Sequence, residues 1–594
     1  MIEIRFDGCS LSRFRHPVSS PGHRLHRGAA GIRYRFTGSS HPHGEHLAQI
    51  HVKICHSRPD ARKEIPTHTP APHNASYVSL PQPVGDTPPR VHGTPTCRPE
   101  SVWFEDRYAI PITTTTPHQA QIEDLLFLRR VLDDAGIDYL LVRDETTRPI
   151  LAIDWADRKR LLTALVDGCG SEPFYAKTVG SKHRPLLIAD GRLSHRSKAR
   201  VLRLFRPRVE LTSGLRYGAS NGVQIELWSY TDDEVIMPRP NALSRETALR
   251  DEMRRTTVER YGQLWPTIEG MFDLHPWDVP FEIDMVFSWV DGSSKSFQAE
   301  RARLMQNYVV GEGDDSPARY RQIDELKYAL RAVHMYAPWV RRIFVATDSP
   351  RPAWLADDPR VTFVRSEEFF ADPTVLPTYN SMAVESQLHH IPGLSEYFLY
   401  SNDDMFLGRP VSPSLFFTGG GVSKFVECDV RIGLGRNHAA RSGFENSARV
   451  NRRLLKERFG VTITRHLEHS PVPLRRSVMA EMEREFPKEF AATAASQFRG
   501  AENISVTNSF YHYYALMTGR AVQQTTAKVQ YVDTTSYAGL RELDTILAKR
   551  KLDMFCLNDG STPEVDLELR TAKVTQFLER YYPIPAPWET DYPG

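Results

Sequence analysis

The stretch from Phe281 to about Arg409 constrains the fold most. Apolar runs of strand length alternate there with helix-length amphipathic runs, and acids follow three of the strands. Ile283-Asp-Met-Val-Phe-Ser-Trp-Val290 reads as a buried strand that ends in the turn dipeptide Asp291-Gly292. The spacing over residues 323–336 predicts a helix that stops before Pro338, because proline disfavours α geometry in the residue preceding it. Residues 342–347, 361–364 and 397–400 are further strand candidates, and a helix candidate around Ser381 to His390 precedes the last. Such alternation favours a parallel, Rossmann-like sheet whose ligand crevice lies outside the carboxyl ends of the strands. Asp291, Asp348 and the run Ser401-Asn402-Asp403-Asp404 each follow such an end.

Two adjacent acids after an apolar strand are not explained by packing, because neighbouring carboxylates repel and each is costly to desolvate. A divalent cation resolves that conflict: Mg²⁺ or Mn²⁺ takes carboxylate and phosphate oxygens, which suits a nucleotide-diphosphate site. Asn and Asp also favour turns, so on spacing alone both readings stay open. After Arg409 a less regular insertion, residues 410–507, carries helix candidates at 446–458 and 477–486. His466, His469, Arg465, Arg475, Arg476 and Arg499 gather there. Histidine can take a proton from a hydroxyl and arginine can clamp phosphate, although a loop histidine is ordinarily solvated or a local cap.

The remaining sequence bounds the partners. Among 594 residues, 75 Lys+Arg against 73 Asp+Glu leave a net charge of +2, no global case for nucleic acid. Six scattered cysteines without a CxxC pair fit a reducing compartment better than a disulfide framework. With no apolar run of about 18 residues, the expectation is a cytoplasmic protein without a membrane span. The first 100 residues hold 13 of 42 prolines and 11 of 22 histidines, so residues 1–115 read as a disordered leader, with a weak metal- or polyanion-binding tail as the alternative. Helix, strand, strand, helix and two more strands make residues 116–240 a small α/β or α+β accessory domain. A stretch rich in Pro, Arg and Glu, residues 241–280, reads as a linker to a catalytic domain at 281–594.

Four stretches, in order, carry a resemblance. Ile283 to Gly292 opens the first. The second joins Asp324-Glu-Leu-Lys-Tyr-Ala-Leu-Arg331, Leu376-Pro-Thr-Tyr-Asn380, Glu385-Ser386 and Tyr400-Ser-Asn-Asp-Asp404. The third runs from His469-Ser-Pro-Val-Pro-Leu-Arg-Arg476 through Arg499. The fourth pairs Cys556-Leu-Asn-Asp559 with Tyr582-Pro-Ile-Pro-Ala-Pro-Trp-Glu589. Together they resemble the Stealth family of bacterial capsule and exopolysaccharide phosphotransferases, relatives of the animal GlcNAc-1-phosphotransferase α/β subunit. From Gln119 onward the chain is also similar to the amino-terminal part of actinobacterial members. The resemblance implies a Rossmann-like, GT-A-like domain that transfers a sugar 1-phosphate from a nucleotide-diphosphate sugar, UDP-GlcNAc or a relative, to a glycan hydroxyl. Residue by residue it implies Asp403, Asp404 and Asp559 as ligands of Mg²⁺ or Mn²⁺. His469 is implied as the general base. Asp404, Glu385 and Arg499 stand beside it in catalysis, and Asp291, Asn402 and Asn558 in the donor site. A peripheral position at the inner face of the membrane and an oligomer are both compatible with it. One departure is Asn503, where the family tends to place an acid, which leaves the partner of Arg499 open. Two other readings stand beside this one: a metal-dependent glycosyltransferase attacking the anomeric carbon, and a glycan-binding protein without turnover.

Overall fold

The structure, a computed structural model, describes residues 100–193, 198–306, 308, 309, 311, 322–560 and 563–592. Its amino-terminal part is a mixed sheet with two main helices. The helix Pro117–Asp134 starts where the sequence sets Thr116 three residues before Gln119: each side chain accepts from the other's backbone N–H, which satisfies two donors the helix would orphan. Its Leu125, Leu128 and Leu132 face a sheet in which Ile150–Asp154 lies parallel to Val223–Tyr230, with Tyr139–Val142, Val201–Phe205 and Tyr175–Thr178 antiparallel to their neighbours. Beneath the helix, buried Asp124 accepts from both Arg206 and Arg208, so three buried charges are mutually satisfied.

Two stretches that read as unpacked are folded. Val102–Phe104 and Arg107–Pro111 form a hairpin that continues into Arg208–Val209 and Arg216–Tyr217, so residues 100–115 do not belong to a leader; residues 1–99 lie outside the described residues. Residues 241–280 are likewise not a linker. Thr247–Leu249 extends the edge of the large sheet, and Arg255–Arg260 pairs with Gln263–Ile268 in a hairpin closed by Tyr261 and Gly262, both at positive φ. The Arg and Glu that gave this stretch its linker composition face outward, while Trp265 is fully buried and Thr267 Oγ1 donates to the Leu141 carbonyl at 2.6 Å. A Tyr-Gly turn gives a weaker hairpin signal than Asn-Gly, which is why composition misled here.

The carboxyl-terminal half is built on a five-stranded sheet. Its strands are β1 (Ile283–Ser288), β2 (Ile343–Ala346), β3 (Val361–Val364), β4 (Tyr397–Asn402) and, beyond a short β5 (Met405–Leu407), β6 (Val472–Arg475), in spatial order β3-β2-β1-β4-β6. The first four are parallel, as the alternation predicts, and β6, unforeseen inside the insertion, is antiparallel to β4. A second sheet sets β5 beside β7 (Val529–Asp533) and β8 (Met554–Asn558) in the order β5-β8-β7. Helices α1 (Lys295–Met305), α2 (Glu325–Tyr336), α3 (Ser381–Gln387), α4 (Gly443–Phe459) and α5 (Arg476–Glu485) surround the main sheet.

Strand register sets the shape of the sheet's carboxyl edge. Ser288 pairs with both Ala346 and Asn402, and Ala346 with Val364, so all four parallel strands end flush. On α2, Leu326, Leu330 and Val333 enter a core that also holds Ile112, Ala120, Leu215 and Tyr217 from the amino-terminal part. Its polar edge carries Arg331, which holds Glu589 by two bonds of 2.7 Å and so fastens the last described residues to the sheet. The fold is α/β, with a Rossmann-like parallel sheet at its centre.

Candidate active site

A cavity of about 470 Å³ opens where those flush strands end. Its floor is Ser288 from β1, Ala346, Thr347 and Asp348 after β2, and Asn402, Asp403 and Asp404 after β4. Its walls are Phe297, Glu300 and Arg301 of α1, Tyr379 to Ser381 at the start of α3, and Phe498 and Arg499 from the insertion. Strand-end carboxylates therefore share one cavity with an arginine.

Each acid is held differently. Asp404 Oδ2 accepts from the Cys556 thiol and the Asn558 amide of β8, both at 3.5 Å. Burial and the Asp404 charge push the Cys556 thiol well above its ordinary value, so it stays a neutral donor. The Asn402 carbonyl oxygen lies 2.8 Å from the Tyr400 hydroxyl, which in turn lies 3.3 Å from Glu385 Oε1; Thr507 Oγ1 donates to Glu385 Oε2 at 2.6 Å. Burial raises the Glu385 carboxyl above its ordinary range, against Thr507 and Arg499, which favour the charge. Glu385 does not line the cavity: it stands one layer behind, holding Tyr400 and through it Asn402.

Arg499 lines the cavity and donates from Nη2 to Ser381 Oγ at 2.9 Å. Its stem is packed so tightly under the start of α4 that a Cβ on Gly443 would come within 2.7 Å of it. Asn503, where an acid was the family's expectation, is a turn group: its Oδ1 accepts from Gly500 N–H at 2.6 Å and Asn380 Nδ2 at 3.0 Å.

His469 is not among the residues lining the cavity. Its ring packs edge-on against Tyr531 at 5.3 Å, the Tyr531 hydroxyl donates to Asn558 Oδ1 at 3.1 Å, and Asn558 donates to Asp404. Neighbouring His466 stacks on Phe444 and is held neutral, its imidazole lowered to about 4 by burial with the His469 charge adding.

Two expected site residues lie apart. Asp291 does not line the cavity; its Oδ1 accepts from the Ser293 backbone and hydroxyl at 3.0 and 2.6 Å, an Asx turn. Asp559 is ion-paired with Arg570, whose buried guanidinium also donates to Thr534 Oγ1, so it serves to neutralise an interior cation. Of the three acids expected as metal ligands, Asp403 and Asp404 line the cavity.

The sequence also missed an aromatic wall. Tyr379 stacks on Phe498 at 5.5 Å with 13° between planes, and Phe297 leans on Tyr379 at 5.2 Å. Burial, with the Glu300 charge adding, raises the Tyr379 phenol to about 12. Of Trp289, Tyr336, Trp339 and Trp354, Trp289 alone lines this cavity, while Tyr336 is in the core. The missed signal was Tyr379 inside Leu376-Pro-Thr-Tyr-Asn380, where its position next to a loop gave no apolar period to read.

Fold and cleft together define an α/β protein with an acid- and arginine-lined cavity at its strand ends, and comparison with known proteins makes the assignment. The four Stealth conserved regions match in order: the first at residues 281–309, the second at 319–425, the third at 468–516 and the fourth at 544–593. The exopolysaccharide phosphotransferase CpsY of Mycobacterium tuberculosis is 61% identical over 475 residues, 80% of this chain and 89% of that one. That of Mycobacterium leprae is 56% identical over 495 residues, covering 83% and 91%. The Streptomyces coelicolor exopolysaccharide phosphotransferase SCO6023 is 38% identical over 501 residues, covering 82% and 85%. Among solved structures, the galactosyltransferase LgtC in complex with donor and acceptor sugar analogs aligns with a TM-score of 0.28 and 11% identity, over 50% of this chain and 95% of that one. The chain belongs to the Stealth family.

Proposed function

We propose that this protein transfers a sugar 1-phosphate from a nucleotide-diphosphate sugar, UDP-GlcNAc or a relative, to a hydroxyl of a capsular or exopolysaccharide glycan. The product is a phosphodiester and the leaving group a nucleoside monophosphate. The observation that carries the reading is the place of Asp404: it lines the cavity, and through Asn558 and Tyr531 it is linked to His469. Family membership and relatives named exopolysaccharide phosphotransferase support the same reaction.

Two neighbouring carboxylates with amide and hydroxyl oxygens beside them form a hard, all-oxygen donor set, which fits Mg²⁺ or Mn²⁺ and not a thiolate-seeking ion. Asp403 and Asp404 would hold it, and when bound it supplies charge neutralisation for the pyrophosphate. The protein's own groups do the rest. Phe297, Tyr379 and Phe498 offer stacking faces to the base and exclude water. Arg499, oriented by Ser381, clamps phosphate oxygens with parallel donors. His469 takes the proton of the acceptor hydroxyl as the new O–P bond forms at the sugar-proximal phosphorus and the pyrophosphate bridge breaks. Asn402, aligned by Tyr400 and Glu385, keeps the donor in register. No described helix is long and apolar enough to cross a membrane, and the three described cysteines are buried thiols, which supports work on cytoplasmic nucleotide-sugar pools, at or near the inner membrane face.

The test is a donor and acceptor screen with Mg²⁺ or Mn²⁺, read by phosphorus NMR. Release of nucleoside monophosphate with a phosphodiester in the product is the expected result. Release of nucleoside diphosphate with no phosphorus in the glycan means attack at the anomeric carbon and overturns the reading. Absence of turnover across the whole panel would favour a glycan-binding protein.

A further inference from the structure

Away from the cleft, two histidines and a glutamate converge. His389 and His390 sit on the single turn Leu388–His390 that continues α3, and Glu483 projects from α5. Both imidazole Nε2 atoms address the same carboxylate oxygen, Glu483 Oε2, at 2.9 and 3.0 Å, and the ring centroids are 4.0 Å apart. The three donor atoms all lie within 4.8 Å of one another. The His389 side chain is 1% exposed, whereas His390 and Glu483 are 30% and 26% exposed, so the cluster is anchored on one side and open to solvent on the other. Both Nδ1 atoms are buried without a hydrogen-bond partner among the described residues.

We propose that His389, His390 and Glu483 are a binding site for a zinc-type dication, distinct from the oxygen-lined cleft. Two imidazoles and one carboxylate are a donor set that zinc takes as three protein ligands, leaving a fourth position to water; Mg²⁺ would prefer the all-oxygen cleft. With bonds of about 2.0–2.1 Å, neighbouring ligand atoms of a tetrahedral zinc lie about 3.3 Å apart. The two histidine–glutamate separations, 2.9 and 3.0 Å, need to open by only a few tenths of an ångström. Nearby Arg476 is spent on the His389 and Leu394 carbonyls. Because neither Nδ1 is supported from behind, affinity falls roughly 10–100-fold below that of a site with such support. The bound ion would tie α5 to the helix that carries Ser381 and Glu385, steadying the cleft from behind.

The full chain, stripped of metal, is titrated with Co²⁺ as a spectroscopic probe and back-titrated with Zn²⁺, in the parent and in an Asp403→Ala/Asp404→Ala background that removes the cleft. One Co²⁺ per chain with visible absorption, displaced by Zn²⁺, is expected in both. His390→Ala and Glu483→Gln should each abolish that equivalent and the Zn²⁺-induced rise in thermal midpoint. Glu483→Gln preserves shape, so it remains informative where the alanine variant fails to fold. A Co²⁺ spectrum that persists in both variants places the metal on other groups, such as the histidines of the first 100 residues, and overturns the proposal, as does a parent that binds no Co²⁺.

Discussion

Replacing Glu385 by glutamine and by alanine separates a neutral positioning group from an ionised one. Alanine orphans the Thr507 hydroxyl, now 2.6 Å from Oε2, while the Tyr400 hydroxyl keeps Asn402 Oδ1 at 2.8 Å and Ser288 Oγ at 2.9 Å. A buried orphan costs about 1–3 kcal/mol. At roughly 2–4 °C per kcal/mol, the melting midpoint falls by at least about 2 °C. Glutamine keeps both bonds, its carbonyl accepting from Thr507 and its amide donating to Tyr400, and should lie within about 1 kcal/mol of wild type at low pH. The pH dependence then decides. Because burial raises the Glu385 carboxyl above 4.5, the native state holds this proton more tightly than the unfolded state. Its stabilisation is fully present below pH 4.5 and is lost as pH climbs toward the raised native value, while glutamine has nothing to lose. Thermal melts by circular dichroism from pH 4 to 8 should show the glutamine variant gaining on wild type as pH rises. A glutamine variant that fails to gain on wild type as pH rises, or one as unstable as the alanine variant, refutes the reasoning.

Asp404→Ala should leave the circular dichroism spectrum unchanged and lower transfer by at least about 10³-fold, the several kcal/mol that a lost metal ligand withholds from the transition state; chelation of wild type should do the same, reversed by Mg²⁺ or Mn²⁺. Asn558→Leu removes a donor to Asp404 and the acceptor of Tyr531, and should cost about 1.5–3 kcal/mol, or about 10–100-fold in kcat/KM, with Tyr531→Phe milder. If the two variants prove equal, the link through Asn558 is wrong. Arg331→Met leaves the buried Glu589 carboxylate with the Lys327 amine, at 3.6 Å, as its cationic neighbour among the described residues, and should destabilise by about 3–5 kcal/mol. Limited proteolysis would then release the carboxyl-terminal residues early, and an unchanged cleavage pattern contradicts the role given to this pair.

The parallel sheet was legible because its strands are continuous apolar runs closed by acids, and the helices between them because Leu326, Leu330 and Val333 repeat at helical spacing. Asp403, Asp404 and Arg499 could be assigned to one site because strand ends converge in such a sheet. Their supports could not. Glu385, Tyr400 and Thr507 meet across long sequence separations, and nothing in their local pattern announces a shared hydrogen-bond network. Asp291 and Asp559 show what makes acids ambiguous in any sequence: the same carboxylate can cap a turn, neutralise an interior arginine or bind a metal, and its neighbours are not written in the local pattern. The hairpin at 255–268 was hidden because charged outward faces outweigh a single buried Trp265 in composition.

Ala120 and Tyr217 share an interior with Leu330 and Val333, so a cut at residue 281 would bare a greasy seam along the transferase half. That half is not a cassette to be lifted out and fused elsewhere. A relative pared down to its catalytic portion must have repainted the seam with polar side chains, and the sequence of such a relative would show where the two parts press together.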